Sequence, residues 1–249
     1  TTYGMLGTAL HSTMITYYGK SSHAGWKPWL GRSAGDAVEL LHAGTERMRE
    51  HVPPINRIHW VTKYAGDAPN IVPDRAETWY YIRDLDENIE AVTEWVNDCA
   101  KGAAMMTQTR CEVRVLAAVH QRFYNQALAE LLYKNMKVVG KPRYSKEEKA
   151  FALNLQEKAR FPKKGMSYPV SLINAEEDEL RASSSDMGDV CLTVPTGQIS
   201  IPVWVPGTPA HDWTATVTGA TSIAHKGISA AAKAVALTVF DLLTDKNQL

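Results

Sequence analysis

Between residues 12 and 24 the chain reads STMITYYGKSSHA, in which Thr, Tyr and Ile alternate loosely with other positions, the pattern of a strand that runs out into a polar loop. From Ser33, a side chain suited to capping, AGDAVELLHAGTERMREHV changes to a helical period. Ala37, Leu40, Leu41, Gly44 and Met48 fall on one face, and Pro53 and Pro54 end the helix. INRIHWVTKYAG (55–66) and ETWYYIRDL (77–85) return to strand patterns on either side of DAPNIVPDR, which is loop chemistry. A second helix is predicted over 87–106 and a further strand in TRCEVRVLAAVHQRF. The order βαββαβ is the split unit of the ferredoxin-like superfold, an antiparallel sheet with two helices on one face, and it offers an exposed edge for pairing with a second copy.

After residue 123 the pattern becomes helical. NQALAELLYKNMKVVG and SKEEKAFALNLQEKAR each predict a helix, the second opened by a capping box of Ser145 and Glu148. FPKKGMSYPVSLINAEEDELRASSSDMGD reads as mostly loop. VCLTVPTGQISIPVWVPGTPAHDW reads as short buried strands with a Gly-Thr-Pro turn. GATSIAHKGISAAAKAVALTVFDLLTD predicts a C-terminal helix, and its Ala and Gly density suits close packing on a sheet. The expected fold class is therefore α+β.

Charge and cysteine content narrow the function classes. With 27 basic and 27 acidic residues the chain is formally neutral, whereas a nucleic-acid binder draws its affinity from excess Lys and Arg. A small molecule or a protein is the expected partner. Three cysteines without C-x-x-C spacing indicate neither a disulfide framework nor a thiolate zinc site. No apolar run is expected to reach the roughly 20 residues of a membrane helix, and the first residues lack the basic and apolar blocks of a signal peptide. The chain reads as soluble and cytoplasmic, and its opening without Met as that of a fragment or processed product.

Four residues carry candidate chemistry. His211, in VPGTPAHDW, sits in a turn shaped by Gly and Pro that can hold an imidazole rigidly as a metal ligand; a structural His-Asp pair is the plainer alternative. His23, in GKSSHAG, has no second ligand nearby in sequence. Asn70 and Arg83, in PNIVPDRAETWYYIR, pair an amide with a guanidinium, a combination suited to a carboxylate; a surface ion pair of Arg83 with Asp84 or Asp86 is the alternative. The serines of SSHAG and ASSSDMGD lie in no G-x-S-x-G elbow and read as turn formers, caps or hydrogen-bond donors lining a cleft.

Taken in order, YYGKSSHAG, GRSAGDAVELL, PNIVPDRAETWYYIR, SSSDMGDV, GTPAHDW and IAHKGISAAAKAVALTVFDLL resemble the metallopeptidase family of aminoacylases, carboxypeptidase G and related amidohydrolases. The resemblance implies a lid and dimerisation domain at 10–122 and the C-terminal segment of an α/β zinc-peptidase catalytic domain at 123–249. It implies hydrolysis of the amide bond of an N-acyl amino acid such as p-aminobenzoyl-glutamate, or of another acyl-amino acid or dipeptide, with two divalent metal ions (zinc, or manganese) in the complete enzyme. On the same resemblance His211 is a metal ligand, His23 is a catalytic residue reaching the other subunit of a homodimer, and Asn70 and Arg83 bind the substrate carboxylate. The N-terminal half of the family pattern, which carries its H-x-D motif, bridging Asp and Glu-Glu pair, is absent from this sequence, so the chain by itself is not expected to bind both ions. Either a missing N-terminal half or a paralogous A subunit supplies them, or the chain is a non-catalytic dimerisation or ligand-binding module. Neither a nucleic acid nor a membrane is an expected partner.

Overall fold

A computed structural model describes residues 7–167 and 183–245. The elements are β1 (Ala9–Tyr18), α1 (Ala34–Met48), β2 (Arg57–Tyr64), β3 (Arg75–Asp84), α2 (Asp86–Thr107), β4 (Arg110–Val119), α3 (Gln126–Val139), α4 (Lys146–Lys158), α5 (Met187–Thr193), α6 (Trp213–Gly219) and α7 (Ser222–Thr244). They form two compact units, one built from residues 7–123 with 183–194, the other from 124–167 with 195–245.

In the first unit the predicted βαββαβ order forms a four-stranded antiparallel sheet, β2-β3-β1-β4. The alternation that marked the strands decides which face is covered. Ile15, Tyr17, Ile58, Tyr80 and Ile82 point to the helices and are buried with Val38, Leu41 and Met48 of α1 and Ile89, Val92 and Val96 of α2. Each such side chain stabilises the fold by about 1.5–3 kcal/mol. Both buried tyrosines keep a partner for the hydroxyl, since an unpaired one would offset that gain. Tyr17 donates to the Ala100 carbonyl at 3.0 Å, and Tyr80 meets Thr45 Oγ1 at 3.2 Å. The resulting architecture is α+β.

Local signals place the helices. Ser33 accepts from the Asp36 amide at 3.1 Å and starts α1 as predicted. Leu40, expected on the buried face, lies at its solvent edge because the buried stripe runs through Ala34, Ala37, Val38, Leu41, Thr45 and Met48. Asp84, fully buried at the end of β3, accepts from the Leu85 amide at 2.7 Å, from Asn56 at 2.9 Å and from Asn88 at 3.1 Å, and so fixes the turn into α2.

Residues 183–194 close the base of this sheet. Thr8 N donates to the Ser183 carbonyl at 3.1 Å, Arg122 donates to Ser183 Oγ at 2.8 Å, and Ser184 Oγ donates to the Ala9 carbonyl at 3.2 Å. At the other side the His120 amide donates to Asp189 at 3.2 Å. Gly188 packs so closely that an added Cβ would lie 1.9 Å from the His120 carbonyl oxygen.

In the second unit the predicted helices α3, α4 and α7 form, and the capping box at Ser145 and Glu148 is present. The short strands expected between 190 and 213 do not: Val190–Thr193 belong to α5, and 194–212 form no ladder. Pro195, Pro202, Pro206 and Pro209 interrupt that run with residues that cannot donate a backbone hydrogen bond. The part of the predicted loop at 168–182 lies outside the described residues.

Glu148 does more than cap. Its buried carboxylate accepts from Ser145 N at 2.6 Å, Ser222 Oγ at 2.6 Å and Lys226 Nζ at 2.7 Å, tying the start of α4 to the first turn of α7. α7 also holds α3, through Asn135 Nδ2 bonded to Thr238 Oγ1 at 3.1 Å and Asp241 Oδ2 at 2.9 Å. Contrary to the sequence expectation, α7 is long and apolar enough to cross a membrane by length and composition. One face, through Ile223, Gly227, Ala230, Ala234 and Thr238, is buried within the unit; Ile228, Val235, Val239, Phe240 and Leu243 line an exposed apolar stripe on the other.

Two consequences are measurable. Lys226 and Ser222 hold the Glu148 carboxyl down at about 2, below its ordinary 4.5, so its stabilisation is complete above the unfolded value and disappears as pH falls toward 2. Glu148→Gln is expected to cost about 1–3 kcal/mol at pH 7, and the difference in Tm from the parent chain should narrow steadily below pH 4.5. Gly188→Ala should destabilise the first unit by about 1–3 kcal/mol in thermal unfolding, because its methyl meets backbone that has nowhere to move.

Candidate functional site

The sheet has one covered face and one open face, and its two ends carry different chemistry. At the closed base, Arg83 projects from β3 onto the open face, half-buried, with its guanidinium 5.5 Å from the Tyr81 ring centroid. Its Nη1 donates to Ser184 Oγ at 2.7 Å. The surface ion pair considered from sequence is not made: Asp84 is spent on Asn56, Asn88 and Leu85, while Asp86 accepts from the Gln121 amide at 2.9 Å and lies 3.4 Å from His120. Among the described residues no carboxylate pairs with Arg83. Burial lowers its pKa, but a guanidinium stays charged at any physiological pH. Among the described residues Arg83 is thus a half-buried cation whose neighbours are a hydroxyl and an aromatic face.

The far end of the sheet holds His23 and Asn70. Residues 19–32 fold back after β1: Lys20 and Arg32 exchange backbone hydrogen bonds of 2.8 Å, and Gly19 permits this because an added Cβ would lie 2.0 Å from the Arg32 carbonyl oxygen. The loop before β3 is laced to it, with the Ala24 amide donating to the Asn70 carbonyl at 2.9 Å and the Val72 amide to the Ser22 carbonyl at 2.9 Å. His23 and Asn70 are both exposed. The Gly25 amide donates to His23 Nδ1 at 3.1 Å. A backbone N–H can only donate, so Nδ1 is the acceptor and the neutral ring carries its proton on Nε2. His23 therefore presents an N–H. Around it the apolar side chains Trp26, Trp29, Leu30 and Ile71 are all exposed.

The structure brings His23 and Asn70 together but places Arg83 elsewhere. Arg75, at the start of β3, pairs with Tyr18, and Arg83 pairs with Leu10. Eight residue steps at strand spacing separate the two ends by about 27 Å. Within one chain no small carboxylate spans Asn70 and Arg83. Ser184, which sequence reasoning left among general hydrogen-bond donors, is the residue that holds Arg83; 101 positions separate them in sequence, and no local pattern signals the contact.

His211 lies in the second unit, exposed, with a left-handed φ of 62°. Its neighbour Asp212 is committed to α6, accepting from the Thr214 amide at 2.9 Å and from the Thr214 hydroxyl, which lowers its pKa. Among the described residues no three His, Cys, Asp or Glu side chains gather as a metal site requires.

Residues 9–104 match the model of the peptidase dimerisation domain. The chain is 34% identical over 259 aligned residues to the B subunit of p-aminobenzoyl-glutamate hydrolase from Escherichia coli K12, covering 94% of this chain and 54% of that protein. It is 35% identical over 118 residues to the Xaa-Arg dipeptidase of Mus musculus, covering 47% of this chain and 27% of that one. A solved structure of a putative aminohydrolase from methicillin-resistant Staphylococcus aureus shares the fold over 96% of this chain and 54% of its own, with TM-score 0.58 and 15% identity. The chain thus spans about half, or less, of the curated relatives it matches. Over residues 9–104 the first unit, with its one-sided four-stranded sheet, matches the M20 peptidase dimerisation domain, within a chain similar over nearly its whole length to the B subunit of p-aminobenzoyl-glutamate hydrolase.

Proposed function

We propose that this chain is part of an M20-type amidohydrolase that cleaves the amide bond of an N-acyl amino acid, with p-aminobenzoyl-glutamate as the first substrate to test. Residues 10–122 act as the lid and dimerisation domain, and residues 123–249 as the C-terminal part of the catalytic domain. The observation that carries this reading is Arg83, a half-buried guanidinium that no carboxylate neutralises among the described residues. Its ligand is the substrate's free carboxylate.

In this reading the two ends of the sheet serve different active sites of a homodimer. Arg83 fixes the substrate in its own subunit, and the partner subunit's His23, with the partner subunit's Asn70, enters from across the interface. Nε2–H of that imidazole donates to the oxyanion as the amide carbonyl becomes tetrahedral, where charge develops and a preorganised donor gains most. Carboxylate binding at a distance from the scissile bond supplies orientation. The exposed Trp26 and Trp29 favour insertion of this tip into another surface. The bare stripe of α7 supports a catalytic domain whose remaining elements cover it. A pair of divalent ions, zinc or manganese, draws most of its ligands from outside the described residues, and His211 contributes one. What the chain itself supplies is substrate binding, orientation and charge stabilisation.

Steady-state kinetics on the complete enzyme separate these roles. Arg83→Ala should raise KM for carboxylate-bearing amides about ten- to hundredfold, and His23→Ala should lower kcat about 10²–10³-fold. The two impaired variants, mixed, re-equilibrated and assayed at substrate well below the parent KM, should recover about a quarter of the parent activity, because each heterodimer contains one site with both residues intact. No recovery on mixing would place Arg83 and His23 in the same site of one chain and end the shared-site reading. Failure of the complete protein, loaded with zinc or manganese, to release an amino acid from any such amide would overturn the hydrolase reading itself.

A further inference from the structure

Of the consecutive serines 183–185, Ser184 is the one that meets the Arg83 guanidinium, and its hydroxyl makes more contacts than that one. The side chain is half-buried, and Oγ donates to the Ala9 carbonyl at 3.2 Å, because a carbonyl can only accept. A hydroxyl has one proton. With that proton spent on Ala9, the fully buried Thr8 hydroxyl, 3.1 Å away, is the donor to Ser184, and Arg83 Nη1 donates to the same oxygen at 2.7 Å. One donation and two acceptances fill the capacity of a hydroxyl.

A hydroxyl so occupied has no free proton for a ligand, and among the described residues no imidazole or carboxylate contacts it as a base would. What it offers is a lone pair of fixed direction. Ala9 belongs to β1, and Thr8 is tied through its own amide to the Ser183 carbonyl at 3.1 Å, so the oxygen is anchored to backbone on two sides. Across the contact Arg83 uses Nη1 alone: Nε and Nη2 have no hydrogen-bond partner among the described residues. Those two nitrogens form one edge of the planar fork, and such an edge engages a carboxylate through two parallel bonds. A long side chain must be ordered to bind, and a contact that orders it beforehand removes that cost.

We propose that Ser184 is a positioning residue whose hydroxyl, oriented by Thr8 and Ala9, holds Nη1 so that the Nε–Nη2 edge of Arg83 stays presented to a carboxylate. The inference rests on the reading that Arg83 binds the substrate carboxylate, and adds to it the residue that aims the guanidinium; Ser184 itself makes no contact with substrate.

The test titrates the full chain with N-benzoylglycine, a probe with one carboxylate, and follows the Arg83 Nε–H resonance by NMR. In the parent chain the probe should shift that resonance. Ser184→Ala should weaken binding about tenfold, and Ser184→Thr, which keeps the hydroxyl, should stay within about threefold of the parent. Thr8→Val, similar in shape but without the donor to Ser184, should weaken binding about threefold and carries the test if Ser184→Ala does not fold. An equal loss in Ser184→Ala and Ser184→Thr overturns the positioning role and leaves the Arg83 reading standing. The same holds if Arg83→Ala abolishes binding while Ser184→Ala and Thr8→Val match the parent within twofold. Silence of the Arg83 resonance in the parent chain, or unchanged affinity in Arg83→Ala, overturns the two together.

Discussion

The ten-residue pairing of β1 with β3 is the constraint on which the first unit depends. Because side chains alternate across a strand, that one register sends Tyr17, Ile15, Tyr80 and Ile82 into the core and leaves Arg83, Tyr81 and Trp79 on the opposite face. A one-residue slip would exchange the two sets and bury the guanidinium. The burial of two tyrosines with satisfied hydroxyls thus also determines on which face the guanidinium stands.

Length matters as much as register. A strand of ten residues is a rigid spacer, and it carries polar groups at both ends that cannot meet within one chain. The base is fixed by residues 183–194, whose serines hold β1, Arg122 and Arg83 at once. The tip is two loops laced by backbone hydrogen bonds, with a histidine whose tautomer is set by its own turn. The element thus carries a guanidinium at one end and an N–H donor at the other, held about 27 Å apart by the strand between them.

The second unit follows another principle. Here a single buried carboxylate, Glu148, satisfies a helix start, a hydroxyl and an ammonium, and Asn135 does similar service between α3 and α7. These directional contacts fix how α7 lies against its neighbours, while the apolar content of that helix exceeds what its buried face uses. An amphipathic helix needs one apolar stripe; α7 has two.

The sequence by itself determined the βαββαβ order, the starts of α1 and α4, and the identity of His23, Asn70, Arg83 and His211 as residues worth locating, because period, capping and motif are local properties of the chain. It misjudged 190–213, where apolar residues suggested strands but prolines leave no ladder, and it took α7 for a shorter apolar run than it is. Only the tertiary structure decided that Arg83 meets Ser184 rather than Asp84 or Asp86, that Asn70 keeps company with His23 and not with Arg83, and that Arg57 faces Arg83 across the sheet. Those outcomes depend on strand register and on contacts between residues up to 101 positions apart, and neither leaves a periodic trace in the sequence.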